Sequence, residues 1–218
     1  MDPGTSVDAL IQRRHLLKHP FYVAWSKGEI PLRTLQQYAG QYYHFESNFP
    51  RYVAGVYAKE TDPAKRRILL QNLVDEEGRS PTHPELWSRF ATAIGAPDPA
   101  SEPHRRMGGT RALTDAYESL TVDGPINGGL GALYAYESIF PEVAREKARG
   151  LRAHYGIKSR KALEFFSVHE EADKAHSAAE RELLAAHIAD SPGARRQAEE
   201  GARRSLAAWW TFLDGFMP

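Results

Sequence analysis

The stretch Arg160–His187, RKALEFFSVHEEADKAHSAAERELLAAH, decides how the rest of the chain reads. Ala162, Phe165, Phe166, Ala172, Ala179 and Leu183 recur at the spacing of one buried helical face. His169, Asp173 and His176 fall on the same stripe. At about 100° per residue, Asp173 sits about 40° to one side of His169 and His176 about 20° to the other. An uncompensated buried carboxylate is expensive, so this strip calls for a cation, a metal ion or dense hydrogen bonding.

Two other segments carry acids on apolar faces. In AKRRILLQNLVDEEG (64–78), Leu69 and Leu73 lead to Glu76, while Leu70 and Val74 lead to Glu77. Periodicity alone does not choose between them. Seven residues beyond Glu76 stands His83, in THPELW, where the chain turns into a new helix. In GGLGALYAYESIF (128–140), Leu130, Leu133 and Tyr134 lead to Glu137. Carboxylate oxygens with imidazole nitrogens suit iron or manganese, and facing helices that project such groups inward build dinuclear sites. The Glu-x-x-His repeat of ferritin-like bundles is absent.

Helical periodicity dominates the rest of the chain, with prolines as punctuation. Helices are expected near 7–18, 20–28, 31–48, 51–60, 63–78, 83–95, 103–120, 127–155 (broken at Pro141), 159–188 and 192–215. Asp62-Pro63 and Ser191-Pro192 read as caps followed by a first-turn proline, and Ser159 as a further cap. Gly124, Gly128 and Gly129 follow no strand, so they mark a turn rather than a phosphate-binding loop. The fold expected is all-α, a single helical domain over 1–218.

Composition narrows the chemistry. The chain has 218 residues and no cysteine, which removes disulfides, thiolate metal sites and cysteine nucleophiles. Lys plus Arg (28) equals Asp plus Glu (28), so no basic excess points to nucleic acid. No apolar run approaches a bilayer span, and the start lacks the layout of a signal peptide, so a cytoplasmic protein is expected.

HPFYVAW, LQQYAGQYYHF, DEEG with HPELW, LYAYES and VHEEADKAH together resemble the haem-oxygenase-like di-iron oxidase superfamily. The resemblance is greatest to its branch typified by the Chlamydia protein associating with death domains. It runs from about His19 to His187. It implies a haem-oxygenase-like bundle with Glu76, rather than Glu77, and His83, Glu137, His169, Asp173 and His176 as metal ligands. Two metal ions are implied, iron with iron or manganese with iron, using dioxygen and a reductant. The implied activity is a self-sacrificing synthesis of p-aminobenzoate for folate. Tyr22 would supply the ring, Lys147 the amino group, and Tyr38 and Tyr136 would relay electrons or radicals. A homodimer is implied as well. Thiaminase-like TenA relatives use a cysteine that this chain lacks, and pyrroloquinoline-quinone-forming oxidases work without metal. The rival expectations are oxidation of an external small molecule at the same metals, and a non-catalytic helical scaffold for a protein partner.

Overall fold

The computed structural model describes residues 5–189 and 191–217, without the side chains of residue 5 and of residues 171–174. The described residues form helices joined by short turns: α1 (Thr5–Arg13), α2 (Pro20–Lys27), α3 (Leu32–Glu46), α4 (Phe49–Tyr57), α5 (Pro63–Glu77), α6 (His83–Ala93), α7 (Gly108–Tyr117), α8 (Ile126–Glu137), α9 (Phe140–His154), α10 (Glu164–Ile188) and α11 (Pro192–Asp214). No strand occurs among them. The all-α expectation holds.

Local chemistry sets the starts and stops. Asp62 accepts from the amides of Ala64 and Lys65, and Ser191 Oγ from that of Ala194, as their cap-plus-proline sequences predict. Thr82 and Glu85 form a reciprocal capping box that pins the first turn of α6, and with it His83. Gly28 ends α2 with φ 73°, a left-handed conformation open to glycine at no steric cost.

Several expected helices are shorter or divided. The helix expected over 7–18 stops at Arg13, and the His15 ring caps a separate 3₁₀ turn, Leu16–Lys18. The one expected over 103–120 begins only at Gly108 and widens after Tyr117 into a π-helical turn, Glu118–Asp123. The 127–155 segment divides into α8 and α9, with Pro141 in the first turn of α9. Ser159 does not cap α10. Its carbonyl instead closes a turn with the Leu163 amide, and the helix starts at Glu164.

Helix α11 packs along α8, α7 and α1, while α10 packs on α9 and α8, and α3 on α6 and α7. Gly128 and Gly129 are not the turn their sequence suggests; both lie inside α8. They serve a close approach. A Cβ at Gly201 of α11 would strike the carbonyl of Gly128, and one at Gly131 that of Ala198. Trp25, Trp87, Trp209, Tyr38, Tyr42 and Phe45 are fully buried in the middle of the bundle. Among the described residues no helix is long and apolar enough to cross a membrane.

Helix α3 ends at Glu46, α5 at Glu77 just after Glu76, and α8 at Glu137. Glu46, Glu76 and Glu137 are all buried. The fold thus brings three carboxylate-bearing helix C-termini to the inner face of α10.

The α8–α11 seam is testable. In an open helix Gly→Ala gains about 1 kcal/mol, whereas overpacking costs about 1–3 kcal/mol. Gly201→Ala should therefore lose up to about 2 kcal/mol net in urea unfolding; a gain would show that the seam has slack.

Candidate metal centre

Glu76 is 1% exposed, whereas Glu77 lies on the surface. The buried Glu76 accepts from His83, with Nδ1 2.9 Å from its Oε2. His169 lies beside His83, their ring centroids 4.2 Å apart. Its Nδ1 is 2.9 Å from the Phe165 carbonyl, which can only accept, so that nitrogen carries the proton. The lone pair is thereby left on Nε2, the atom that faces the cluster, 3.9 Å from Glu46 Oε1. His176, two turns along α10, stands between two acids: Nδ1 is 3.6 Å from Glu137 Oε1 and Nε2 3.0 Å from Asp75 Oδ2. Asn72 donates to both oxygens of Glu137 at 2.9 and 3.2 Å. The Asp173 position falls in α10, and its side chain lies outside the described residues.

Two groups of donor atoms result. One atom each from Glu46, Glu76, His83 and His169 lies within 4.8 Å of the others, and the same holds for Glu76, Glu137 and His176. Glu76 belongs to both, as a residue shared between two metal ions would. Asp75 on the far nitrogen of His176 is the carboxylate–histidine arrangement that fixes a ligand's tautomer and orientation.

The electrostatics fit a cation. Burial, with the charge of Glu76 nearby, pushes the Glu46 carboxyl well above the usual range. Burial and the neighbouring His83 hold His169 well below the usual imidazole value, so its ring is neutral and able to ligate. Burial alone would lower His176, but the hydrogen bond and charge of Glu137, with Asp75 behind, carry it up to about 9. Burial likewise opposes ionisation of Glu137, yet hydrogen bonds with Glu180 and His176 keep its carboxyl below the usual value. Each carboxylate also sits at the negative end of a helix dipole. One imidazolium is little compensation for so many acids, and Glu46 Oε1 has no hydrogen-bond partner among the described residues. Divalent iron or manganese, taking oxygen and nitrogen donors, matches this set.

A dry aromatic chamber adjoins the cluster. Lys147 is 0% exposed, and its Nζ has no hydrogen-bond partner among the described residues. That nitrogen lies 4.6–5.5 Å from the ring centroids of Tyr22, Tyr38, Tyr42, Trp87 and Phe140. Burial holds the ammonium pKa well below its ordinary value, with Glu46 opposing only in part. The Tyr22 and Tyr38 hydroxyls are 3.1 Å apart, and those of Tyr42 and Tyr136 share a short hydrogen bond. Tyr42 also hydrogen-bonds Glu46. The structure thus brings Tyr22, Tyr38, Tyr136 and Lys147 to one chamber beside the carboxylates. Tyr43 and His44, next to Tyr42 on α3, are half-buried outside the chamber, and His44 bonds the His104 carbonyl.

Sequence reasoning missed Glu46, Asn72, Asp75 and Glu180. Glu46 carried the signal that flagged Glu76 and Glu137, since Leu35, Tyr38, Ala39 and Tyr42 form an apolar stripe that ends on it. Glu180 continues the His169–His176 strip by one more turn and is buried. Asp75 and Asn72 carry no such mark.

Comparison with known proteins agrees with this picture. A family model described as iron-containing redox enzyme matches residues 36–210. The chain is 38% identical to a 4-aminobenzoate synthase of Nitrosomonas europaea, over 96% of this chain and 88% of the relative. It is 36% identical to that of Chlamydia trachomatis, over 97% and 90%. A 4-chloro-allylglycine synthase of Streptantibioticus cattleyicolor is 28% identical over 91% of this chain and 76% of its own. In fold, the chain superposes on a TenA homologue from Pseudomonas syringae pv. tomato with a TM-score of 0.79 at 16% identity, covering 98% of this chain and 90% of that one. On a CADD-like protein of unknown function from Nostoc punctiforme the TM-score is 0.73 at 19% identity, covering 97% and 94%.

Metal analysis checks the site directly. After anaerobic loading with iron or manganese and desalting, the wild type should hold about two ions per chain. His176→Ala should hold about one or fewer, and a wild type that holds none would reduce the cluster to a buried polar network.

Proposed function

The chain belongs to the family of iron-containing redox enzymes, and on that premise we propose that it makes 4-aminobenzoate from two of its own side chains. The ring comes from Tyr22 and the nitrogen from Lys147. Glu76, His83, Glu137, His169, Asp173 and His176 hold two metal ions, iron with iron or manganese with iron. Bound there, the ions supply activation of dioxygen for oxidation of an adjacent aromatic group, with electrons from an external reductant. A cytoplasmic homodimer is part of the same reading.

One observation carries it: a fully buried lysine whose nitrogen has no hydrogen-bond partner among the described residues and is walled in by aromatic rings. Lysine is almost never fully buried unless paired, because an unsatisfied polar group in a dry site costs about 1–3 kcal/mol. Chemistry repays that cost. An amine kept unprotonated retains its lone pair and can act as a nucleophile or nitrogen donor near neutral pH. Tyr22 lies in the same chamber, its hydroxyl held by Tyr38 and its ring sealed from water. Tyr38 and Tyr42, with Tyr136 bonded to Tyr42, form a run of ring contacts and hydroxyl pairs from Tyr22 toward Glu46, along which an electron can pass.

A second reading is favoured by a cavity of about 440 Å³ between α5 and α10, bordered by Leu69, Asn72, Asp75, His176, Ala179 and Glu180. It has room for an external small molecule beside His176. It would equally admit dioxygen and release product in self-processing.

Tyr22→Phe separates the two. With ferrous iron, reductant and air, the wild type should form 4-aminobenzoate, and its intact mass should fall by the lost tyrosine side chain. Tyr22→Phe should form none; normal yield from that variant would overturn the sacrificial role. Lys147→Met tests the amine. It should abolish product and yet stabilise the fold at pH 7 by about 1–3 kcal/mol. The sign follows from linkage. The unfolded lysine binds a proton up to about pH 10.4 and the folded one sheds it, so wild-type stability rises with pH over that window. The advantage of the variant should therefore shrink toward pH 10.

A further inference from the structure

Glu46 lies outside the six-residue ligand set implied by the resemblance, yet it ends α3 against the cluster and is 2% exposed. Its two oxygens have different surroundings. The carboxylate takes a hydrogen bond from Tyr42, while Oε1 has no hydrogen-bond partner among the described residues. The nearest imidazole nitrogen to Oε1, His169 Nε2, is 3.9 Å away, too far for a hydrogen bond. Lys147 does not satisfy it, because Nζ has no hydrogen-bond partner among the described residues. A buried carboxylate kept for structure alone would have its acceptors filled. Here a carboxylate oxygen of Glu46 lies within 4.8 Å of donor atoms of Glu76, His83 and His169, and Oε1 is the oxygen nearest His169.

We propose that Glu46 is a further metal ligand, which with Glu76, His83 and His169 encloses one of the two metal positions. The inference rests on the dinuclear reading above. It makes the two positions unequal. The one near α3 has two carboxylates and two imidazoles. Tyr42, hydrogen-bonded to the Glu46 carboxylate, then joins that position to the chamber that holds Tyr22 and Lys147. The assignment also explains why the chain tolerates an acid at the negative end of a helix, beside a second acid and away from water.

The test is anaerobic titration of the metal-free protein with Mn²⁺ by equilibrium dialysis, and with Co²⁺ by visible absorption. The wild type is compared with Glu46→Gln and with Glu46→Met as an apolar substitute of similar size. Two binding events are expected in the wild type. In both variants one of them should weaken at least about tenfold and its Co²⁺ spectrum should change, the other event staying as it was. The metal-free variants should also melt above the metal-free wild type, because an uncompensated buried carboxylate has gone; a merely structural Glu46 would lower the melting temperature. Two unaltered binding events with an unaltered Co²⁺ spectrum in Glu46→Gln would overturn the assignment. A wild type that binds no metal would sink it together with the dinuclear reading. Two ions in the wild type, one lost with Glu46, but no 4-aminobenzoate, would leave Glu46 a ligand and refute the proposed product alone.

Discussion

Three helices that end on buried carboxylates set the terms for the rest of the structure. Glu46 and Glu137 are the last residues of α3 and α8, and Glu76 the last but one of α5. Helix C-termini carry partial negative charge, so an acid there is disfavoured even on a surface, and more so in a dry interior. To aim three of them at one point demands positive charge. His176, held between Glu137 and Asp75, supplies part of it, and divalent metal would supply the remainder.

The surroundings are arranged around that demand. The capping box of Thr82 and Glu85 fixes the first turn of α6, so His83 meets Glu76 at a defined angle. The Phe165 carbonyl selects the His169 tautomer. Asn72 steadies Glu137 by donating to both of its oxygens, and Asp75 steadies His176 through its far ring nitrogen. On the opposite flank, aromatic packing excludes water from Lys147, and Tyr42 stacks on Trp87 with ring centroids 4.0 Å apart. Polar cluster and dry chamber are complementary: one needs a cation, and the other keeps an amine from becoming one.

The glycine seam makes this geometry possible at a distance. Because Gly128, Gly131 and Gly201 let α8 and α11 approach closely, α8 runs deep in the bundle and its terminal Glu137 reaches the inner face of α10. Read from the sequence, Gly128 and its neighbour Gly129 looked like a turn. Glycine carries no sign of whether it serves a bend or a contact; only the partner helix distinguishes them.

The helical class, the proline-led helix starts and most of the acid-bearing faces were legible in the chain itself. Periodicity is a local property, and capping chemistry lies within a few residues of its helix. The same rule was available for Glu46, whose helix ends on an acid as α8 does. What local pattern could not supply was pairing across space. Glu76 and Glu77 extend two equally apolar stripes, and only the packing of α5 turned one inward and the other to solvent. Asp75 and Asn72 became part of the site because α10 and α8 lie against them. Lys147 looks like any other surface lysine in FPEVAREK, and its isolation among five rings follows from Phe140 on its own helix and from three segments distant in sequence. The sequence by itself determined which residues could carry the chemistry. The tertiary structure decided which of them meet, because burial and distance belong to the packed bundle and not to any one helix.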